Sequence, residues 1–168
     1  MIRASIHRLV THLAPMLLAL GTALPIGAQI HHPVQWTLTA SAQGARPLHR
    51  GQAVVARLHA QIQRGWHLYA SGQEPGGPTA LRISVPERQP FAIHGDISAP
   101  TPDTAIDPNL NVETRFYEDS VTFTIPLKVN SRHVNGIRKI FIDVLYQVCN
   151  QVMCLEPTVS HLTSQLKQ

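Results

Sequence analysis

Ile140-Phe141-Ile142-Asp143-Val144-Leu145-Tyr146-Gln147-Val148 runs directly into Cys149-Asn150-Gln151-Val152-Met153-Cys154. The first nine residues are rich in β-branched and aromatic side chains and alternate in polarity, as a strand with one buried face does. This is the most apolar strand of the chain and is expected near the centre of a sheet. The two cysteines that follow stand in C-x4-C spacing. On a helix, five residues advance about 500°, leaving the two side chains roughly 140° apart and unable to bond. On a hairpin with a four-residue connection they face each other, with Cα atoms about 4.5–5.5 Å apart and within disulfide reach. A strand leading straight into Asn150-Gln151 favours the hairpin.

Working outward, period-two alternation recurs in Val34–Ala40, Ala53–Ile62, Ala80–Val85 and Val121–Val129. Pro126 inside the last of these predicts an edge or a bulge. Val159–Leu166 is expected to close the sheet. Gly65-Trp66-His67-Leu68-Tyr69 precedes a turn-rich Ser71–Pro78, and Pro86 to about Asn111 reads as long connections around short strands. No segment keeps a helical apolar period. Many short strands between turn signals predict an all-β, two-sheet sandwich whose strand order is not readable from pattern.

The chain has 168 residues, enough for one domain and a targeting segment. Arg3, His7 and Arg8 lead into a mostly apolar Leu17–Leu24, and small residues follow at Gly27-Ala28. This reads as a secretory signal over residues 1–28, with a single domain over 29–168. Thr11, His12 and Pro15 interrupt the apolar run, whereas a spanning helix needs about 20 apolar residues. Cleavage removes Arg3 and Arg8, taking the formal charge of +4 down by two. The remaining basic residues form no run, which argues against a nucleic-acid surface.

Export permits disulfides. From spacing alone the pair reads equally as a structural staple or as an exchanging bond. The mild argument for exchange is that so short a loop saves little unfolded-chain entropy. Zinc is disfavoured, because two cysteines do not make four ligands and no histidine stands at motif spacing.

Tyr146–Thr158 resembles the active-site stretch of the amino-terminal domain of the DsbD thiol:disulfide interchange family. Gly65–Tyr69, then Pro75-Gly76-Gly77-Pro78-Thr79 running into Leu81-Arg82-Ile83, and Phe116–Val121 match the same family in the same order. The resemblance implies an immunoglobulin-like sandwich in the periplasm that acts as a thiol–disulfide oxidoreductase without a dissociable cofactor. Cys149 and Cys154 would be the redox pair, with Cys154 forming the mixed disulfide. A membrane-embedded reductase would supply electrons, and oxidised thioredoxin-like proteins would receive them. Phe116 falls where the family places a shielding cap aromatic, with Tyr117 beside it. The departures are two. The chain ends at Gln168 without the family's transmembrane and thioredoxin-like parts, so the reductase is expected to be a separate protein. The acidic residue the family often has before the cap aromatic is displaced here to Glu113, with Thr114 and Arg115 between. The rival class is a non-catalytic binding or assembly domain with a structural bridge.

Other candidates carry less. Eight histidines beyond residue 28 are dispersed, and His67 reads as a solvent-facing or satisfied strand residue. Cleavage after Ala28 would start the chain Gln29-Ile30-His31-His32, a possible square-planar copper or nickel site. Asp96, Asp103, Asp107, Glu113, Glu118 and Asp119 lack calcium-loop spacing and read as a solvated surface.

Overall fold

The computed structural model describes residues 32–44, 47–132, 136 and 139–167. The expected signal segment and the copper or nickel terminus at 29–31 lie outside the described residues. Among the described residues there are eleven strands: β1 (Val34–Ala42), β2 (Ala53–Ile62), β3 (Trp66–Tyr69), β4 (Arg82–Ser84), β5 (Phe91–Ile93), β6 (Asp103–Ile106), β7 (Glu113–Tyr117), β8 (Ser120–Val129), β9 (Lys139–Tyr146), β10 (Val148–Asn150) and β11 (Thr158–Lys167). There is no helix among the described residues.

The strands form a seven-stranded sheet, β4-β9-β11-β1-β2-β8-β5, and a four-stranded sheet, β10-β3-β7-β6. β2 organises the larger sheet. Its ten residues alternate between buried and outward positions, and it pairs antiparallel with β1 on one side and β8 on the other. Leu58, Ile125, Ile140, Ile142 and Val144 are fully buried. They share one apolar cluster with Trp66, Leu68, Tyr117 and Val148 of the smaller sheet. The two sheets therefore close on a single core, the expected immunoglobulin-like sandwich.

Two strand-level expectations change. β9 is interior but one place from the edge, while β1 is central. Hydrophobic density reports burial on the core side, and the strand's position depends on which neighbours the loops deliver. β11 does not close the sheet but lies inside it, antiparallel to β9 and parallel to β1. β7 follows the stretch read as connections, and no strand was assigned there because its exposed Glu113 and Arg115 mask the alternation.

Pro126 sits on the ragged side of the larger sheet. β5 pairs only with residues 127–129, and the next contact is an isolated bridge between Ser98 and Thr124. The Pro126 carbonyl accepts from His94 N–H on that outer side at 2.9 Å. A residue's nitrogen and oxygen point the same way from a strand, so the missing N–H faces the broken ladder and interrupts no pairing with β2. Gly95 crosses the ring with φ +113°, and an added Cβ would meet Pro126 Cγ at 3.4 Å.

Leu58 projects from the middle of β2 into the core at 0% exposure. Leu58→Ala is expected to cost about 2–5 kcal/mol, read as a lower urea midpoint at unchanged slope.

Candidate active site

The smaller sheet separates core from chemistry by alternation. Trp66 and Leu68 of β3 enter the core, which turns His67 and Tyr69 to the opposite face. Val148 of β10 enters the core and turns Cys149 outward, directly across from His67. On β7, Tyr117 enters the core and Phe116 turns outward, directly across from Tyr69. Cys149, His67, Tyr69 and Phe116 thus share one face.

Cys149 and Cys154 form a disulfide and face each other as an antiparallel bridge with Cα atoms 4.0 Å apart. This is a little closer than the roughly 4.5 Å of opposed strand residues without a covalent link. The turn between them is built by Asn150. Its side-chain Oδ1 accepts the N–H groups of Val152 and Met153, both at 2.8 Å, while its own N–H donates to Met153 O at 2.9 Å. Such capture of nearby N–H groups is why asparagine starts turns. Gln147 braces the base, accepting Thr79 N–H at 2.7 Å and donating to Leu155 O at 3.1 Å. The two sulfurs differ in access: Cys149 is fully buried and Cys154 is partly exposed.

Behind Cys149 lies a buried polar network. Tyr69 is fully buried, and its hydroxyl is 2.8 Å from Cys149 Sγ and 2.7 Å from Asp107 Oδ2. One O–H proton serves two acceptors, so it points to one of them at a time. Asp107 arrives on the loop after β6, whose sequence Asp107-Pro108-Asn109-Leu110 forms an Asx turn. Pro108 has no N–H, and Asp107 Oδ1 accepts from the next two, Asn109 at 2.8 Å and Leu110 at 3.1 Å. Asn109 Nδ2 then donates to Asn150 O at 2.8 Å, tying this loop to the cysteine hairpin. His67 Nε2 lies 3.1 Å from Asp107 Oδ2. The His67 ring packs against both Tyr69 and Phe116, with ring centroids 5.1 and 5.0 Å away.

Burial alone would raise the Asp107 carboxyl. The hydrogen bonds from Tyr69, from the Asn109 and Leu110 backbone and from His67 outweigh it and hold the group below the ordinary carboxylate range. Burial, then the hydrogen bond to Asp107 and its charge, push the Tyr69 phenol up, so it stays protonated.

The expected solvated reading of Asp107 is therefore overturned: the residue is 3% exposed and anchors the site. It also supplies the carboxylate that the residues before Phe116 do not. Phe116 stands beside His67 at the edge of the site, half-buried. Tyr117 does not join it. Its ring packs edge-on against Phe123 at 5.7 Å and its hydroxyl donates to Pro100 O, because neighbours on a strand face opposite ways. Tyr69 lay in a matched stretch, and period two would have put it beside His67. The burial of Asp107 had no local signal beyond the Asp-Pro-Asn turn. A groove of about 470 Å³, lined by His67, Asp107, Thr114, Phe116 and Gln151, opens beside the network.

An immunoglobulin-like sandwich with a disulfide on the outer face of its smaller sheet defines a class of disulfide-bearing β-domain. Over residues 30–165 the sequence matches the family described as thiol:disulfide interchange protein DsbD, N-terminal, and the chain belongs to that family. The redox-active group of this family is a disulfide. The structure is similar to the N-terminal periplasmic domain of ScsB from Proteus mirabilis, at TM-score 0.55 and 21% identity. That match covers 79% of this chain and 46% of the other, so the chain spans about half that structure's length; the likeness supports the fold. The reduced DsbD N-terminal domain of Neisseria meningitidis aligns at TM-score 0.45 and 13% identity, covering 70% of this chain and 83% of that one. No curated protein matches the sequence. No helix among the described residues is long and apolar enough to cross a membrane.

Asp107→Asn tests the network. A lowered folded-state pKa contributes stability that is present above the unfolded value of about 4 and is lost as pH falls through the folded value. The variant is expected to be less stable at neutral pH by about 1–3 kcal/mol, with a shallower acid limb in a plot of urea midpoint against pH.

Proposed function

We propose that residues 29–168, after removal of a signal at 1–28, form a periplasmic thiol–disulfide exchange module. It would take electrons from the dithiol of a membrane-embedded reductase and pass them to oxidised thioredoxin-like proteins. The observation that carries this reading is the asymmetry of the disulfide. Cys154 is reachable, while Cys149 is buried against a protonated phenol.

The chemistry follows from that asymmetry. A donor thiolate attacks Cys154 Sγ in line with the bond, and the electron pair of the S–S bond leaves on Cys149. The Tyr69 hydroxyl, 2.8 Å away, turns from Asp107 to donate to the new thiolate. The donor's second thiol then attacks its own sulfur in the mixed disulfide, leaving Cys154 reduced and the donor oxidised. In the forward transfer, the Cys154 thiolate attacks the acceptor disulfide. Cys149 then attacks Cys154, restoring the bond and releasing the reduced acceptor. Tyr69 is a positioning residue for Cys149. Phe116, at the edge of the site, acts as the shield against indiscriminate oxidants, whereas Tyr117 serves the core.

A staple across so few residues would contribute only roughly 2 kcal/mol through loop closure, which gives the bridge a weak structural purpose. The deciding measurement is its reduction potential in glutathione and dithiothreitol buffers. A value well above about −300 mV is expected, and one well below it would make the bridge structural and the domain a binding or assembly module. Cys149→Ala is expected to accumulate mixed disulfides through Cys154 in a periplasmic extract, seen as adducts that vanish on reduction. Phe116→Ala is expected to speed reduction of the disulfide by dithiothreitol several-fold at unchanged urea midpoint.

A further inference from the structure

We propose that the reduced protein holds a zinc ion on Cys149, Cys154, His67 and Asp107, and that forming the disulfide expels it. The sequence alone disfavours such a site, because its two cysteines lack partners at motif spacing. The fold supplies the missing pair from distant segments. His67 arrives as the cross-strand partner of Cys149, and Asp107 arrives on the Asx turn. One ligand atom each from His67, Asp107 and Cys149 lie within 4.8 Å of one another. Cys154 Sγ, bonded to Cys149 Sγ, lies just outside that group and would turn in as the fourth ligand once the bond is broken.

The donor set suits zinc: two thiolates, one imidazole and one carboxylate, in a tetrahedron with bonds of about 2.0–2.3 Å. Such bonds put neighbouring ligand atoms roughly 3.3–3.8 Å apart. His67 Nε2 and Asp107 Oδ2 already stand 3.1 Å apart. The sulfurs must separate once their bond is broken, which moves them toward the same spacing. The supporting shell is also in place. Backbone N–H groups of Asn109 and Leu110 fix Asp107 Oδ1, leaving Oδ2 as the ligand atom with the Tyr69 hydroxyl on it. The rings of Phe116 and Tyr69 both pack against the His67 ring. The groove along His67 and Asp107 gives an ion a way in.

The balance is simple. Exchange with a donor dithiol delivers two electrons and two protons to the disulfide. Zinc binding then displaces the two thiol protons while the His67 proton moves from Nε2 to Nδ1, and oxidation of the pair by an acceptor disulfide removes both thiolate ligands and frees the ion. The inference rests on the bridge being reducible, and its test separates that point from metal binding. The purified protein is reduced with a phosphine, its free thiols are counted with a chromogenic disulfide, and Co²⁺ alone is added anaerobically. The expected result is two thiols per chain with the visible bands of tetrahedral cobalt and a thiolate charge-transfer band. Zinc bleaches these bands, and the oxidised protein shows none. His67→Ala and Asp107→Ala are each expected to weaken cobalt binding at least about tenfold. His67, 13% exposed, contributes one of the four hydrogen bonds on Asp107, so its substitution keeps the Tyr69 and Asx-turn contacts of the carboxylate. Two free thiols without these bands would overturn the zinc site and leave exchange standing, as would bands of equal strength in His67→Ala. Failure to release thiols would overturn both.

Discussion

Adjacent residues on a strand face opposite ways, and everything at the site depends on that constraint. In the smaller sheet, Trp66, Leu68, Tyr117 and Val148 close the core. The residues between them, His67, Tyr69, Phe116 and Cys149, are thereby sent to one outer face without any interaction needed to steer them there. The core and the chemistry are two readings of the same short strands. A register slip of one residue would bury the histidine and expose the tryptophan, so the packing energy of the sandwich also fixes the geometry around the sulfur.

The outer face alone would be an ordinary polar surface. It becomes a site because one loop folds back over it. Asp107 brings a carboxylate into a place where water is excluded, and four hydrogen-bonding groups keep it charged there. That charge holds the Tyr69 proton while the sulfurs are bonded. The same proton is then within reach of Cys149 when a negative charge develops on it. The buried sulfur is thus met by a donor, and the exposed sulfur by solvent and partners.

Much of this was legible in the chain. The long alternating strands, the sandwich, the C-x4-C hairpin and the family were each readable, because each is written locally or in short ordered stretches. Pro126 predicted an edge or a bulge, whereas β8 lies between β2 and β5 and the proline falls where the pairing with β5 stops. Sheet order was not legible: the run 140–148 is apolar enough for a central strand, yet the parallel pairing of β11 with β1 puts another strand at the centre. Tyr117 was placed beside Phe116 by sequence adjacency, where alternation separates them. Asp107 was taken for a surface acid because a turn-rich segment gives no sign of which side chain it will tuck inward. Its contacts to Tyr69 and His67 span about 40 residues, and no local pattern encodes them.

The parallel pairing of β1 with β11 also has a mechanical meaning. Because the two strands run the same way, the chain enters β1 at one end of the sheet and leaves β11 at the other. A pull on the two ends loads the bonds between these strands side by side, in shear, and they must fail together. Antiparallel neighbours pulled from a shared end would instead peel one bond at a time. Tension along the strands would therefore meet the parallel seam of the larger sheet, where Ala40 and Ser41 pair with Leu166 and Lys167, in its stronger direction.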